Sequence, residues 1–248
     1  MANLLLDHFS GVLNPRDQSP PTHPPAQPTH MITDVNIEAN LVKEAVNTLN
    51  NTNACGDDKV RVQVLKKCLS VLLPSLTHLM KTVYDHSKEP KQWKHSTVIP
   101  LYKQKVNVAD VKNYRPISLS SNLRKIMEYI VLKHIRTHCE EQQHLPASQH
   151  GFVPLRSCET ALLEHTNLLY SAIEHNRPVY VIYLDQSSAF DKCSIDGITR
   201  GLHCLGIVGK TAKYVDDWLN GRLQSVLVEE SRSTTRDVTS GEIGRAHV

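Results

Sequence analysis

One carboxylate stands out for its position. The run Val179-Tyr-Val-Ile-Tyr-Leu184 consists of β-branched, aromatic and aliphatic residues, follows the breaker Pro178, and delivers Asp185 where it stops. Six such residues in succession predict a strand buried on both faces. An ionised acid at the end of a buried strand must be hydrogen-bonded, paired or coordinated, because an unpaired buried carboxylate is too costly to keep. Two chemistries fit this pattern: Asp185 can ligate a metal ion, or, with Ser187 and Ser188, it can cap a helix that follows.

The elements that must hold this acid are mostly helical. Apolar residues at 37, 41, 42, 45, 46 and 49 form a stripe that Asn50-Asn-Thr-Asn53 stops. The stripe resumes from Val60 to Val83, where Pro74 is expected to divide it into two helices. Val98-Ile-Pro-Leu-Tyr102 reads as a short strand, its proline pointing to an edge. Helical spacing returns over Leu123–His138 and Thr160–Glu174, and these stripes are expected to pack in the core. The fold class is therefore α+β with a helical N-terminal region. Six of the thirteen prolines fall between Pro15 and Pro28, so residues 1–34 are expected to be a disordered, Pro-rich linker.

Composition narrows the function. The formal net charge is only +3, yet Lys81–Glu140 carries twelve Lys or Arg against five Asp or Glu. Such a concentration of positive charge points to phosphate-bearing partners, against the alternative of a solvated basic face. No apolar run is long enough for a membrane span and no secretory leader is evident, so an intracellular location is expected. The six cysteines form no Cys-x-x-Cys pair, which argues against a zinc cluster and for reduced thiols. His134 and His138 are four apart, but Ile135 stands where a zinc-protease glutamate would be. Surface or nucleic-acid-facing histidines are the better reading.

Four ordered blocks carry a resemblance. They are Pro90-Lys-Gln-Trp-Lys94 with Val98–Lys103, Asn113-Tyr-Arg-Pro-Ile-Ser-Leu119, Gln149-His-Gly-Phe152 with Arg156-Ser157, and Leu184-Asp185 with Ala189-Phe-Asp191. Gly56-Asp-Asp58 adds a weaker block at the entry to the fingers. Together they resemble the reverse transcriptase of non-long-terminal-repeat (LINE-type, jockey-like) retrotransposons. The resemblance implies a polymerase right-hand fragment, fingers plus partial palm, over residues 35–241. It also implies an RNA template, a DNA primer and dNTPs as partners, with location in cytoplasm and nucleus. An endonuclease commonly lies upstream in that family, which would make the proline-rich segment a tether.

The implied reaction is nucleotidyl transfer, a primer 3′-hydroxyl attacking the α-phosphate of a dNTP with loss of pyrophosphate. Two Mg2+ ions would stabilise the attacking and leaving oxygens. By the resemblance, Asp185 is the first metal-binding aspartate and the backbone carbonyl of Gln186 a second ligand. Phe190 would crowd the sugar 2′-position, with core packing as its alternative, and Asp191 is taken as structural. Arg115 would reach the triphosphate, its planar fork suiting phosphate oxygens, unless it pairs with a carboxylate or anchors a loop. Lys103, Lys105, Lys112 and Arg156 would contact nucleic-acid phosphates. This copy departs from the family at Val153 and His150, where an arginine and an aromatic are usual, and at Ser188, where a lysine is usual.

Tyr214-Val-Asp-Asp217 spells the aspartate-pair box of reverse transcriptases, but it is expected to be a coincidence. That box works at the tip of a hairpin, whereas apolar positions 214, 215, 218 and 219 are spaced for a helix. Arg222–Val226 resembles the strand that follows. The Pro-Gln-Gly loop expected after Thr239-Ser-Gly241 does not occur. The tail Glu242–Val248 resembles a translated sequencing adapter, so residues 242–248 are expected to be non-native and the chain to be inactive alone. The alternatives are a non-catalytic nucleic-acid-binding remnant and an unrelated Mg-dependent phosphotransfer enzyme.

Overall fold

The apolar stripes along the chain fold as helices, and most of them meet in one core. The computed structural model describes residues 1–13, 30–104, 107–186 and 189–241. It divides into two units, one formed by Met1–Arg136 with Ser188–Val248 and the other by Thr137–Ser187.

In the first unit, α2 (Ala39–Thr48) buries Val42, Ala45 and Val46, as the stripe requires. The run that follows is broken into α3 (Val62–Lys67) and α4 (Leu69–Asp85), but the break falls at Cys68 and not at Pro74, which lies inside α4. The proline removes one helical hydrogen bond early in α4, whereas Leu76, Met80, Val83 and Tyr84 beyond it are all buried and hold the helix together. α5 (Asn122–Glu141) adds Ile126, Met127 and Ile130 to the same cluster. α7 (Ile195–Cys204) and α8 (Gly209–Leu219) add Ile195, Tyr214, Val215 and Leu219. The boundary between units falls within α5.

A five-stranded sheet completes this unit. β1 (His95–Tyr102) pairs antiparallel with β2 (Tyr114–Leu119) and parallel with β3 (Leu223–Val228), and β3 also pairs β4 (Ser231–Arg232) and β5 (Arg236–Asp237). β1 is thus an inner strand, yet its proline obeys the edge rule locally. β3 covers β1 only from His95 to Val98, and Pro100 faces Pro116 across the β1–β2 pair. Neither proline has an N–H to give, so they can meet only at a position where the two strands exchange none.

The disordered-linker reading of residues 1–34 does not hold at either end. Ala2–Ser10 forms helix α1, which buries Leu5, Leu6 and Phe9 against Val98 and Val226 of the sheet. At the other end Ile32 bridges Ile207, and Thr33 O accepts from Lys210 N. An isolated amphipathic helix this short is marginal in water, but a prepared apolar face supplies the missing stabilisation. The proline cluster itself lies outside the described residues.

The second unit contradicts two expectations. Its helix α6 (Cys158–Glu174) buries no residue, and Leu162, Leu163, Leu168 and Ile173 are all more than 60% exposed. The helix instead owes its start to a capping box, Ser157 Oγ accepting from Thr160 N while Thr160 Oγ1 accepts from Ser157 N. Val179–Leu184, expected as a strand buried on both faces, forms no strand or helix, and Tyr180, Ile182, Tyr183 and Leu184 are exposed. β-propensity expresses fit to a half-buried ladder more than an intrinsic backbone preference. No strand among the described residues of this unit offers that ladder.

Candidate nucleic-acid interface

The β1–β2 hairpin presents the expected basic residues. Register places Arg115 opposite Leu101 and Ile117 opposite Ile99, so these four share one face, and Tyr102 and Tyr114 share the other. The tyrosine face is covered by α1. On the open face Ile99, Leu101 and Arg115 are exposed. No described residue takes Arg115 as a hydrogen-bond or ion-pair partner, so its alternatives of carboxylate pairing and loop anchoring are not what this structure shows.

The hairpin loop is closed by its own bonds. Lys103 N donates to Asn113 O at 2.8 Å and Lys103 Nζ to Lys112 O at 2.8 Å. Asn113 Nδ2 donates to Asn107 O at 2.7 Å and Tyr114 OH to Val108 O at 3.0 Å. Lys112 is exposed in a 3-10 turn (Val111–Asn113) capped by Asp110. Lys105 lies outside the described residues. The root of the hairpin is clamped by Asp57, whose carboxylate accepts from Thr97 Oγ1 at 2.8 Å and from both Arg232 Nη atoms at 3.2 Å, with His95 Nδ1 at 2.6 Å. Burial works to raise this carboxyl, but the hydrogen bonds from Arg232 and Thr97 and the nearby positive charge hold it below the usual aspartate value.

Not all of the basic excess is available to a ligand. Arg124 is fully buried, its Nε 3.4 Å from Glu89 Oε2 and 3.5 Å from Glu128 Oε1, with Nη1 and Nη2 donating to Trp93 O and Trp218 O. Those carboxylate distances give charge attraction but fall outside hydrogen-bonding geometry. Burial therefore prevails over Arg124 and pushes the Glu89 carboxyl up to about 7. Lys133 pairs with Glu44 at 2.7 Å and Lys94 with Asp217 at 2.9 Å.

The pairing of Lys94 accounts for Tyr214-Val-Asp-Asp217. The tetrapeptide lies in α8, as its spacing predicts, with Tyr214 donating to Glu89 Oε1 at 3.1 Å and Asp217 Oδ2 accepting from Glu89 N at 2.8 Å. Asp217 is a structural anchor, which the sequence signals only through the helical period around it.

Asp185 and the Gln186 carbonyl belong to the second unit, whereas Arg115, Lys103, Lys112 and Phe190 belong to the first. Asp185 is exposed and follows an unpaired segment, so the burial that would have demanded a partner for it is absent. Ser187 and Ser188 lie outside the described residues. Among the described residues no three His, Cys, Asp or Glu side chains converge in a way that could hold a metal ion.

Arg156 anchors a loop: its Nη1 donates to Ala147 O and, at 2.7 Å, to Gln149 O. His150, in the place of the usual aromatic, bridges Thr160 Oγ1 at 2.8 Å and Glu164 Oε2 at 2.6 Å and so braces α6. Phe190 is half-buried in a turn beside Asp191, whose carbonyl accepts from Ser240 Oγ at 2.8 Å. His138 is buried with its ring 5.7 Å from that of His144, against the surface reading, while His134 bonds Ile130 O within its own helix.

The family model described as Reverse transcriptase (RNA-dependent DNA polymerase) matches residues 102–241. The chain belongs to the reverse transcriptase family. The RNA-directed DNA polymerase from mobile element jockey of Drosophila melanogaster is 28% identical over 81% of this chain and 22% of its own length. The probable RNA-directed DNA polymerase from transposon BS of the same species is 25% identical over 83% and 22%. The retrovirus-related Pol polyprotein from type-1 retrotransposable element R2 of Popillia japonica is 24% identical over 74% and 24%. The chain thus spans under a quarter of the length of the curated relatives it matches. These relatives agree with the LINE-type resemblance drawn from the motif blocks, and the reverse transcriptase match includes Lys112, Arg115, Arg156, Asp185 and Phe190. Reverse transcriptases as a family use divalent metal ions, an RNA template, a primer and dNTPs. No described helix of this one is long and apolar enough to cross a membrane.

Proposed function

We propose that this chain is the fingers and early palm of a retrotransposon's RNA-directed DNA polymerase, and that by itself it binds primer–template without extending it. The observation that carries the reading is the family match over residues 102–241, which coincides with an exposed Arg115, unpaired among the described residues, on a hairpin that also bears Lys103 and Lys112. A guanidinium not engaged by the protein is free to take a phosphate. In this reading Arg115 meets the incoming triphosphate, Lys103, Lys105 and Lys112 meet backbone phosphates, Phe190 limits the sugar position, and Arg156, engaged by Ala147 O and Gln149 O, shapes its loop.

Asp185, with the Gln186 carbonyl, is the share of a Mg2+ site that this chain supplies. One carboxylate cannot neutralise two divalent ions, so no catalytic step is assigned to the described residues. Cytoplasm and nucleus are the places where such an enzyme would meet its RNA.

Filter binding to an RNA template–DNA primer duplex should show affinity that falls steeply with salt and depends little on sequence. Primer extension with Mg2+ and dNTPs should give no product. Extension that survives Asp216→Asn and is lost with Asp185→Asn would overturn the claim of inactivity, and salt-independent binding would overturn the reading as a whole.

A further inference from the structure

The cluster that joins α1 to the sheet has a one-sided composition. Leu5, Leu6 and Phe9 come from α1, and against them lie Val98 of β1, Val111 of the 3-10 turn, Tyr114 of β2, and Val226 and Val228 of β3. Val111 sits beside Lys112, and Tyr114 beside Arg115. The apolar backing of the basic hairpin in this cluster, outside the sheet itself, therefore comes from a nine-residue helix at the start of the chain. The larger core, which contains both tryptophans, is a separate cluster.

Polar contacts fix α1 in register as well as in place. Asn3 Oδ1 accepts from Thr234 N at 3.0 Å, Gln224 Nε2 donates to Ser10 Oγ at 3.3 Å, and Asp7 pairs with Arg236. These partners lie on β3, β5 and the β4–β5 connection, away from the hairpin loop. A helix pinned to β3 and β5 and also packed on Val111 and Tyr114 couples the position of the loop to the body of the sheet.

We propose that α1 is a positioning element for the basic hairpin: Leu5, Leu6 and Phe9, in one cluster with Val111 and Tyr114, set the direction in which Lys103, Lys112 and Arg115 meet phosphate. This rests on the nucleic-acid reading of the hairpin. α1 contains no Lys or Arg, so truncating its apolar residues leaves the count of Lys and Arg untouched. Any change in the electrostatics of binding would then report geometry.

The test is filter binding of the full chain to an RNA template–DNA primer duplex, titrated between about 50 and 200 mM salt. Leu6→Ala and Phe9→Ala are expected to lower the slope of log affinity against log salt by roughly 2, since each phosphate that is no longer neutralised takes about 1 from it. Phe9→Leu, which keeps the packing, is expected to keep the slope. Adding Arg115→Ala to Phe9→Ala should cost less slope than Arg115→Ala does alone, because a misdirected hairpin already fails to bring that arginine to its phosphate. Tryptophan fluorescence should show a cooperative urea transition retained in all of these variants, so that each is folded under the conditions of the binding assay. An unchanged slope in Leu6→Ala and Phe9→Ala, or a fall in slope matched by loss of the tryptophan-reported transition, would overturn the positioning role. A flat salt dependence in the unaltered chain would overturn the nucleic-acid reading beneath it, and so the two failures can be told apart.

Discussion

α5 and α6 have comparable apolar periodicity and opposite fates. α5 buries Ile126, Met127, Ile130 and Val131 completely or nearly so, while α6 buries nothing. The difference lies in what each can pack on. Within the first unit α2, α3, α4, α7 and α8 present facing stripes, and a fully buried Arg124 ties α5 to Glu89, Trp93 and Trp218. Within the second unit α6 has a capping box and the His150 brace, and among the described residues no apolar partner that buries it. A stripe states that a helix can be buried, and its partners decide whether it is.

Arg124→Met should break the comparison most severely. Removing one member of a buried charge cluster leaves the others uncompensated, at a cost of about 3–5 kcal/mol, visible as a lower urea midpoint by tryptophan fluorescence. The loss should shrink below neutral pH, where Glu89 takes up a proton. Met80→Ala, in the same core, should cost roughly 2–5 kcal/mol, whereas Leu163→Ala in α6 should stay within about 0.5 kcal/mol of zero. Equal effects at the two sites would show that α6 is packed in solution.

Glu89 sharpens the contrast through pH. Its neighbours are Arg124, Glu128, Tyr214 and Lys94, and burial dominates them, so the folded chain holds this proton up to about 7 against an ordinary value of 4.5. The contribution to stability is complete below the ordinary value and is lost as pH rises through about 7. Unfolding midpoints between about pH 5 and 8 should therefore fall for the unaltered chain and fall less for Glu89→Gln, the buried Glu128, also raised by desolvation, accounting for the remainder. A local effect belongs to Ser157→Ala, which should cost α6 about 1 kcal/mol, read as faster amide exchange over its first turn.

Much of the first unit is legible in the sequence because its signals are local. Periodicity locates α2, α5 and α8, and it separates Tyr214-Val-Asp-Asp217 from a hairpin box. The break at Cys68 is not legible from proline alone, because the cost of Pro74 is outweighed by the buried residues that follow it. α1 escapes a sequence reading because Leu4-Leu-Leu6 is too short to read as a helix, and its stability comes from a sheet assembled from residues about 90 to 230 positions away. In the second unit, Val179–Leu184 has strand composition and lacks a ladder, so the burial inferred for Asp185 fails with it. Arg115 stands on an open face, whereas Arg156 is engaged by two carbonyls, which no motif spacing could announce.

The anchoring of Asp217 bears on how mutants of this chain would be interpreted. A worker scanning acidic tetrapeptides would target Asp216 and Asp217 together, and the double alanine would lose activity through destabilisation, because Lys94 loses its carboxylate partner and the Glu89 amide loses its acceptor. The two acids are easily separated, since Asp216 is exposed and its carboxylate accepts from Asn220 at the end of the same helix. Silence from Asp217→Ala beside normal behaviour in Asp216→Ala would diagnose a damaged scaffold, and the apparent signature of a lost active-site acid would be an artefact of spelling.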